Sequence, residues 1–268
     1  MFKHVILSSH NLGQKIKGVE KSPNILSKYL QKDISKINSQ CDDHLFKNLS
    51  NIYTTNMEIK HKPIVNIGGD HSISIATGAS SLNKNKNTKF LWFDAHADIN
   101  TYKESNTQNY HGMVLGYLSG ACKHSRFNFI KNHLNLNNLM YIGLRDTDPY
   151  ERKIIEDNNI DVIRSRECNT ETDLVINKIK DFVGDDDVHI SFDVDVLDPC
   201  IMKSTGTPVI YGTNILSTKM IINYILKTSN VVNLDITELN LDIGDKSSKK
   251  RSLDAVLEIF NDSLFNDK

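Results

Sequence analysis

The chain has 268 residues, of which 24% are charged, and acidic and basic residues nearly cancel to a formal net charge of −1. This length is at the upper edge of what one α/β domain holds, so we expect a single domain over residues 1–268. The balanced charge provides no bulk field that would attract nucleic acid or a membrane surface, which excludes both as expected partners.

Short apolar runs recur along the chain and are typical of buried parallel strands. In chain order they are Val5 to Leu7, Ile64 to Ile67, Phe90 to Phe93, Met140 to Ile142, Val162 to Ile163, Val188 to Phe192 and Val231 to Ile236. The apolar spacing of helices is found between and after them, at Ser22 to Leu30, Val175 to Phe182, Leu216 to Tyr224 and Leu253 to Phe260. The alternation predicts an α/β fold of three layers, α/β/α, with a mainly parallel sheet.

The sequence lacks several motifs that would indicate nucleotide binding, secretion, membrane insertion or a thiolate metal site. Neither a Gly-x-Gly-x-x-Gly turn nor a phosphate loop ending in Gly-Lys-Ser/Thr occurs, so nucleotide binding is not indicated. The N-terminal apolar run is too short for a signal peptide, no later stretch is long enough to span a bilayer, and the four cysteines contain no Cys-x-x-Cys pair. We expect reduced thiols and a cytoplasmic protein. The polar tracts Asn83 to Thr88 and Lys246 to Arg251 are interpreted as solvated loops.

Acidic residues and histidines follow three of the predicted strands directly, at the end where open α/β sheets bind ligands. They are Asp94, His96 and Asp98 after the third run, Asp193 and Asp195 after the sixth, and His71 after the second. Because strand side chains alternate, residues two apart are expected on one face. The two glycines before His71 allow a tight turn toward the same edge.

This cluster predicts a metal centre. Each piece alone has a structural explanation, since Asp favours turns and a single histidine readily finds a backbone partner, but three such segments together favour chemistry. Four carboxylates at one edge would repel unless cations neutralise them. Six ligands are too many for one tetrahedral zinc but suit two octahedral sites with bridging carboxylates. The two imidazoles favour Mn²⁺ over Mg²⁺, with Co²⁺ and Fe²⁺ left open, so we expect two Mn²⁺ per subunit.

Three motifs resemble the metal-binding signatures of the arginase and agmatinase (ureohydrolase) family. They are Gly-Gly-Asp-His-Ser at 68–72, Asp-Ala-His-Ala-Asp-Ile-Asn at 94–100 and Ser-Phe-Asp-Val-Asp-Val-Leu-Asp-Pro at 191–199. The resemblance extends from Gly18 to Asn240 and implies the arginase-like fold, with an eight-stranded sheet between helices. It also implies two ligand sets, one of His71, Asp94, Asp98 and Asp193 and the other of Asp94, His96, Asp193 and Asp195.

The resemblance implies the catalytic groups as well. The guanidinium carbon is a poor electrophile, and a hydroxide shared by two cations would supply a nucleophile at neutral pH. Glu238 matches the family glutamate that binds the guanidinium through a charge-assisted pair, although an acid that begins a helix is an alternative interpretation. His111 matches the family histidine that shuttles protons, which suits an imidazole titrating near neutral pH. We take His111, Asp98 and Glu238 as catalytic.

The substrate residues are predicted from two segments with arginase spacing, 98–112 and 141–149. Asn100 and Thr107 would contact the α-carboxylate of L-arginine, and Asp148 would lie near its α-amino group. Asn109 and Glu238 complete the predicted substrate-binding set. Ordinary turn chemistry is the alternative for Asn100, Thr107 and Asp148. A site that binds carboxylate and amine rejects analogues lacking them by up to about 10⁴-fold, so L-arginine is expected to be preferred to agmatine.

The leading hypothesis is therefore a Mn²⁺-dependent arginase, which hydrolyses L-arginine to L-ornithine and urea by a metal-bridging hydroxide. The alternatives are another ureohydrolase, acting on agmatine, a guanidino acid or formiminoglutamate, and a catalytically silent arginine-binding protein. The resemblance implies a homo-oligomer, a trimer or hexamer, although the longer C-terminal tail that helps to join subunits in animal arginases is absent after Phe260. Ala97, Val196 and Thr107 stand where animal arginases usually carry Thr, Gly and Ser, which is expected to alter affinity more than reaction type.

Overall fold

The computed structural model describes residues 2–265, and within them eight strands form one sheet. The strands are β1 (His4–Ser8), β2 (Ser35–Asn38), β3 (Ile64–Gly68), β4 (Lys89–Phe93), β5 (Leu139–Ile142), β6 (Asp161–Ile163), β7 (Asp187–Asp193) and β8 (Asn230–Thr237). Their order is β2-β1-β3-β8-β7-β4-β5-β6, and every neighbouring pair is parallel. All the carboxyl ends therefore meet at one edge, with β3, β8, β7 and β4 at its centre.

Helices cover both faces of the sheet. In the described part of the chain they are α1 (Ser22–Leu26), α2 (Leu45–Glu58), α3 (Ile73–Lys84), α4 (Val114–Leu118), α5 (Pro149–Asp157), α6 (Ser165–Thr170), α7 (Thr172–Val183), α8 (Ile215–Thr228) and α9 (Lys246–Ile259). One buried apolar cluster joins α7, α8 and α9 to the sheet, and a second joins α2, α3 and α4 to it. The predicted three-layer α/β/α architecture is thus confirmed.

The central strands show why the sequence pattern was informative. In β4, Phe90 and Trp92 belong to one buried cluster while Leu91 and Phe93 belong to the other, so both faces are covered and the strand is apolar throughout. All seven predicted strands are present. The missed strand β2 has three exposed residues out of four, so its sequence carries no apolar run.

Two helix predictions need correction. The helix predicted over Leu216 to Tyr224 exists as α8, but Leu216 and Met220 are 69% and 42% exposed, and the buried face is formed instead by Ser217, Thr218, Ile221, Ile222 and Ile225. The helix that begins at Ser22 ends at Leu26 rather than reaching Leu30. Between residues 2 and 265 no helix combines the length and apolar character needed to cross a bilayer.

The polar tract Lys246 to Arg251, interpreted from sequence as a loop, forms the first turns of α9. The side chain of Asp245 caps this helix by accepting a hydrogen bond of 2.9 Å from the backbone N–H of Ser248. Lys250 forms an ion pair one turn onward with Asp254, at 2.6 Å. A run of charged residues is compatible with a solvated loop and with a solvated helix face. The capping residue Asp245 is the feature that indicates the helix.

Candidate metal centre

The acidic and imidazole side chains predicted as ligands lie at the carboxyl ends of the central strands. Asp94 directly follows β4, Asp193 is the last residue of β7, and His71 lies in the turn from β3 to α3. This turn requires glycine, because a Cβ at Gly69 would lie 1.7 Å from the carbonyl oxygen of His10. Because the turn packs closely on the segment after β1, His71 is directed toward the ends of β4 and β7.

Six side chains converge there and are called the ligand cluster: His71, Asp94, His96, Asp98, Asp193 and Asp195. His71 Nδ1 lies 3.1 Å from Asp94 Oδ2, 3.0 Å from Asp98 Oδ2 and 3.3 Å from Asp193 Oδ2. A second imidazole faces the other side of Asp94: His96 Nδ1 lies 3.5 Å from Asp94 Oδ1 and 3.0 Å from Asp195 Oδ2. Asp94 therefore offers one oxygen to each of two adjacent groups.

These donors fit divalent cations. Two groups have the spacing of a metal site, His71 with Asp94 and Asp193, and Asp94 with His96 and Asp195. His71 Nδ1 is buried and makes no hydrogen bond, although three carboxylates surround it. Donor atoms that converge on a common point without bonding to each other are expected of a coordination shell. Carboxylates with imidazoles suit Mn²⁺ and related ions of the first transition row.

The electrostatics of the ligand cluster show how strongly it attracts positive charge. Burial and the charge of Asp94 raise the pKa of Asp98 to about 6, and burial with the charge of Asp195 raises the pKa of Asp193 well above its usual range. Burial lowers the pKa of His96, but the carboxylates of Asp195 and Asp94 outweigh it and raise that pKa to about 12. These shifts all favour added positive charge, which protons or bound cations can supply.

The side chains reach the cluster by a different route from the one predicted. Strand alternation was expected to align Asp94, His96 and Asp98, yet β4 ends at Phe93. Local turns orient them instead, because Asp94 Oδ1 accepts the backbone N–H of His96 at 2.7 Å and Asp98 adopts a positive φ of 49°. A matching turn places Asp195, whose N–H donates to Asp193 Oδ1 at 2.8 Å.

Glu238 lies beside the ligand cluster and is held rigidly. Its Oε1 accepts the backbone N–H of His71 at 2.8 Å, and its Oε2 accepts Gln14 Nε2 at 2.6 Å. The backbone at Glu238 has a positive φ of 67°, which is rare outside glycine, and its N–H donates to the carbonyl of Gly69 at 2.8 Å. A strained residue held from several sides is typical of a functional position.

His111 pairs with this same carboxylate. Its Nδ1 lies 3.2 Å from Glu238 Oε1, and its backbone N–H donates to the carbonyl of Gly13 at 3.2 Å. Burial lowers the pKa of His111, but the bond to Glu238 and the charge of Glu238 raise it to about 9. Without bound metal, the pKa of His111 thus lies above the near-neutral value expected from the sequence.

An open cavity of about 220 Å³ adjoins the ligand cluster. Four of its polar lining residues are called the substrate rim, because three of them are predicted substrate residues: Asn100, Thr107, Asp148 and Glu151. Asn100 Nδ2 donates to Asp148 Oδ2, and Asp148 Oδ1 accepts the N–H of Glu151 at 3.0 Å as the cap of α5. Asn109 does not line this cavity, and its backbone N–H instead donates to Thr107 Oγ1 at 3.3 Å.

Sequence reasoning missed three polar residues of the site. Glu151 is 8% exposed, burial raises its pKa to about 8, and its position was readable from the Asp-Pro-x-Glu capping pattern at 148–151. Thr207 lines the cavity and its Oγ1 donates to Asp195 Oδ2 at 3.3 Å. Gln14, the buried donor to Glu238, lies in a loop with no motif of its own.

Val196 and Ala97, two of the three positions at which the sequence was expected to differ from animal arginases, are both fully buried. A Cβ added at Gly143 would lie 2.5 Å from Val196 Cγ2, so that glycine leaves the space which the valine side chain fills. The carbonyl of Ala97 accepts the hydroxyl of Tyr141 at 2.8 Å. Neither residue displaces a member of the ligand cluster.

A parallel sheet with four carboxylates and two imidazoles at its carboxyl edge is an α/β protein with a candidate metal centre. A model of the arginase family matches residues 6–260. The chain therefore belongs to the arginase family.

Individual relatives agree with this assignment. The chain is 36% identical over 189 residues to the arginase of Neurospora crassa, a match that covers 66% of this chain and 53% of that protein. It thus spans about half the length of that relative. An arginase of Plasmodium berghei is 34% identical over 269 residues, with 91% of this chain and 74% of that protein covered. The crystal structure of Entamoeba histolytica arginase in complex with L-ornithine superposes with a TM-score of 0.85 at 27% identity, covering 97% and 98% of the two chains.

Proposed function

We propose that this protein is a Mn²⁺-dependent arginase that hydrolyses L-arginine to L-ornithine and urea. The observation that carries the proposal is the convergence of the ligand cluster beside a polar cavity, with Glu238 between the cluster and the segment that holds His111. The relatives named as arginases, and the one bound to L-ornithine, support this choice of substrate.

Two Mn²⁺ ions per chain would fit the ligand cluster. His71, Asp94, Asp98 and Asp193 would hold one, and Asp94, His96, Asp193 and Asp195 the other, in agreement with the two oxygens of Asp94 that face different imidazoles. When bound, such ions supply Lewis acidity and a water of lowered pKa.

The protein groups bind the guanidinium and deliver a proton. Glu238 is fixed by Gln14 and by the N–H of His71, so its carboxylate is oriented in advance for a charge-assisted pair with the guanidinium. In the reaction, oxygen from water becomes bonded to the guanidinium carbon and the bond from that carbon to the ornithine nitrogen breaks. The departing nitrogen needs a proton, and His111 holds one because Glu238 raises its pKa to about 9.

The substrate rim would recognise the amino-acid end of arginine. Asn100 and Thr107 line the cavity as donors for a carboxylate, with Asn109 supporting Thr107 through its backbone, and the carboxylate of Asp148 would pair with an ammonium group. A substrate without the carboxylate, such as agmatine, would leave these polar groups unpaired.

The test is a urea-release assay that crosses substrates with metals. Protein loaded with Mn²⁺ is expected to release urea from L-arginine, to do so far more slowly from agmatine, and to stop after chelation. Faster release from agmatine or a guanidino acid would establish a different ureohydrolase. Tight binding of L-arginine without any urea would establish a silent arginine-binding protein.

We also infer an assembly of like subunits. Four large apolar side chains are exposed between positions 210 and 220, namely Ile210, Tyr211, Leu216 and Met220. Exposed apolar groups concentrated in one segment favour an interface, here with further copies in a trimer or hexamer. Light scattering on the protein and on Leu216→Arg tests this: a large particle that dissociates in the variant is expected, and a monomeric unsubstituted protein would reject it.

The organisation and location of the protein complete the proposal. The one sheet takes in strands from His4 to Thr237, which supports a single catalytic domain over residues 1–268. All four cysteines are free thiols, which supports a cytoplasmic location. Limited proteolysis, which should produce no stable half of the chain, and imaging of a tagged chain test these two points.

A further inference from the structure

We propose that Asp235 is a positioning residue for the metal ligand His71, acting through the hydroxyl groups of Ser74 and Ser191. Asp235 lies in β8, Ser191 in β7 and Ser74 in α3, and all three are fully buried. The inference rests on the proposed metal centre and adds the device that orients one of its imidazoles.

The hydroxyls form a continuous path between the two residues. His71 Nε2 lies 2.7 Å from Ser191 Oγ, and Ser191 Oγ lies 3.3 Å from Ser74 Oγ. Ser74 Oγ donates to Asp235 Oδ2 at 2.7 Å. The path begins on the ring nitrogen opposite the one that faces the three carboxylates of the ligand cluster.

The direction of each hydrogen bond follows from the number of protons. A ligating Nδ1 keeps its lone pair for the metal, so the proton of the neutral ring is on Nε2 and is donated to Ser191. A serine hydroxyl has one proton, and that of Ser74 is directed to a carboxylate, which accepts only. Ser191 must therefore donate to Ser74. The carboxylate thus selects the His71 tautomer that can bind a metal.

Asp235 is itself anchored firmly enough to act as a fixed end. Besides Ser74, its Oδ2 accepts Thr77 Oγ1 at 2.5 Å and lies 3.2 Å from His189 Nε2. Its Oδ1 accepts Asn66 Nδ2 at 2.9 Å. The ring of His71 is also held on its face, by Trp92 with 4.5 Å between ring centroids. Few orientations of the imidazole remain open.

The experiment measures Mn²⁺ binding directly, by counting free Mn²⁺ with electron paramagnetic resonance during titration of metal-free protein. Ser191→Ala and Asp235→Asn are expected to weaken one of the two ions about 10- to 100-fold, as loss of a ligand's outer partner usually does, while the other ion keeps its affinity. Ser252→Ala is the matched control, since this buried hydroxyl donates to the carbonyl of Ile201 at 3.2 Å and belongs to a different network.

The outcomes separate this inference from the proposed function. If the unsubstituted protein binds no Mn²⁺, the metal centre itself is rejected. If it binds two ions and Ser191→Ala titrates like Ser252→Ala, or loses both ions equally, the positioning role is overturned while the metal centre stands. Should Ser191→Ala not fold, Ser74→Ala interrupts the same path without touching His71. Unchanged affinity in that variant would likewise overturn the role.

Discussion

The ligand cluster and the substrate rim are neighbours in space but are held in different ways. Asp94, Asp193 and His71 are 1%, 3% and 1% exposed and lie where the central strands end. Thr107, in contrast, is exposed in a long loop, and its nearest hydroxyl partner, Ser105, is 3.4 Å away. The strand ends thus hold the proposed metal ligands, whereas the proposed substrate residues lie in the loop after Asp98 and at the start of α5. Substitutions in the ligand cluster should abolish turnover, and substitutions in the substrate rim should change the selectivity for L-arginine over agmatine.

The largest effect is expected from Asp193→Ala. This change removes a carboxylate 3.3 Å from His71 Nδ1 that would belong to both proposed ligand sets. Mn²⁺ binding should fall to one weak site or none, and urea release should drop on the order of 10³-fold or more. Elemental analysis of dialysed protein and a urea assay measure the two quantities. Activity close to that of the unsubstituted protein would contradict the assignment of the cluster.

The next effect comes from Glu238→Gln, at the border of the two regions. The amide keeps an acceptor for the N–H of His71 but removes the charge opposite the guanidinium, so turnover should fall about 10²- to 10³-fold with Mn²⁺ retained. The pKa of His111, raised to about 9 beside Glu238, should move downward, as an NMR titration would show. Near-normal turnover would reject the guanidinium role.

A smaller effect is expected from Asp148→Asn in the substrate rim. Asparagine also caps helices, so α5 should stay intact while the negative charge near the α-amino group is lost. The KM for L-arginine should rise about tenfold to a hundredfold, with the rate on agmatine unchanged. An equal loss of activity on L-arginine and agmatine would show that the substrate rim does not recognise the amino-acid end of the substrate.

The smallest expected effect is that of pH on Mn²⁺ affinity, which should depend on the ligand cluster and not on the substrate rim. The carboxylates of Asp195 and Asp94 raise the pKa of His96 to about 12, although burial lowers it. Burial and the charge of Asp94 raise the pKa of Asp98 to about 6. Protons must therefore leave these groups as Mn²⁺ binds. Affinity should therefore increase with pH, about tenfold per unit for each proton released. Titrations between pH 6 and pH 8 test this, and Asp148→Asn should show the same slope. Affinity independent of pH would be inconsistent with a proton-loaded cluster.

The difference between buried strands and loops also explains which parts of the fold and the site could be predicted from the sequence. β4 is buried on both faces and apolar from Phe90 to Phe93, and β7 alternates Val188, Ile190 and Phe192 with buried polar residues, so both strands and the acids after them were predictable, whereas the polar edge strand β2 was not. The ligand cluster comes together as expected, but through turns after the strands rather than through strand alternation. Gln14 could not be predicted, because its contact with Glu238 joins residues 224 positions apart and depends on a loop path that no local pattern specifies.

The central claim is that the carboxyl edge of this sheet holds two divalent cations. The most direct measurement is anomalous diffraction at the manganese edge from crystals grown with Mn²⁺. Two peaks are predicted, one beside His71 and the other beside His96, with Asp94 between them. A map with no peak, or with a single peak that touches neither imidazole, would contradict it.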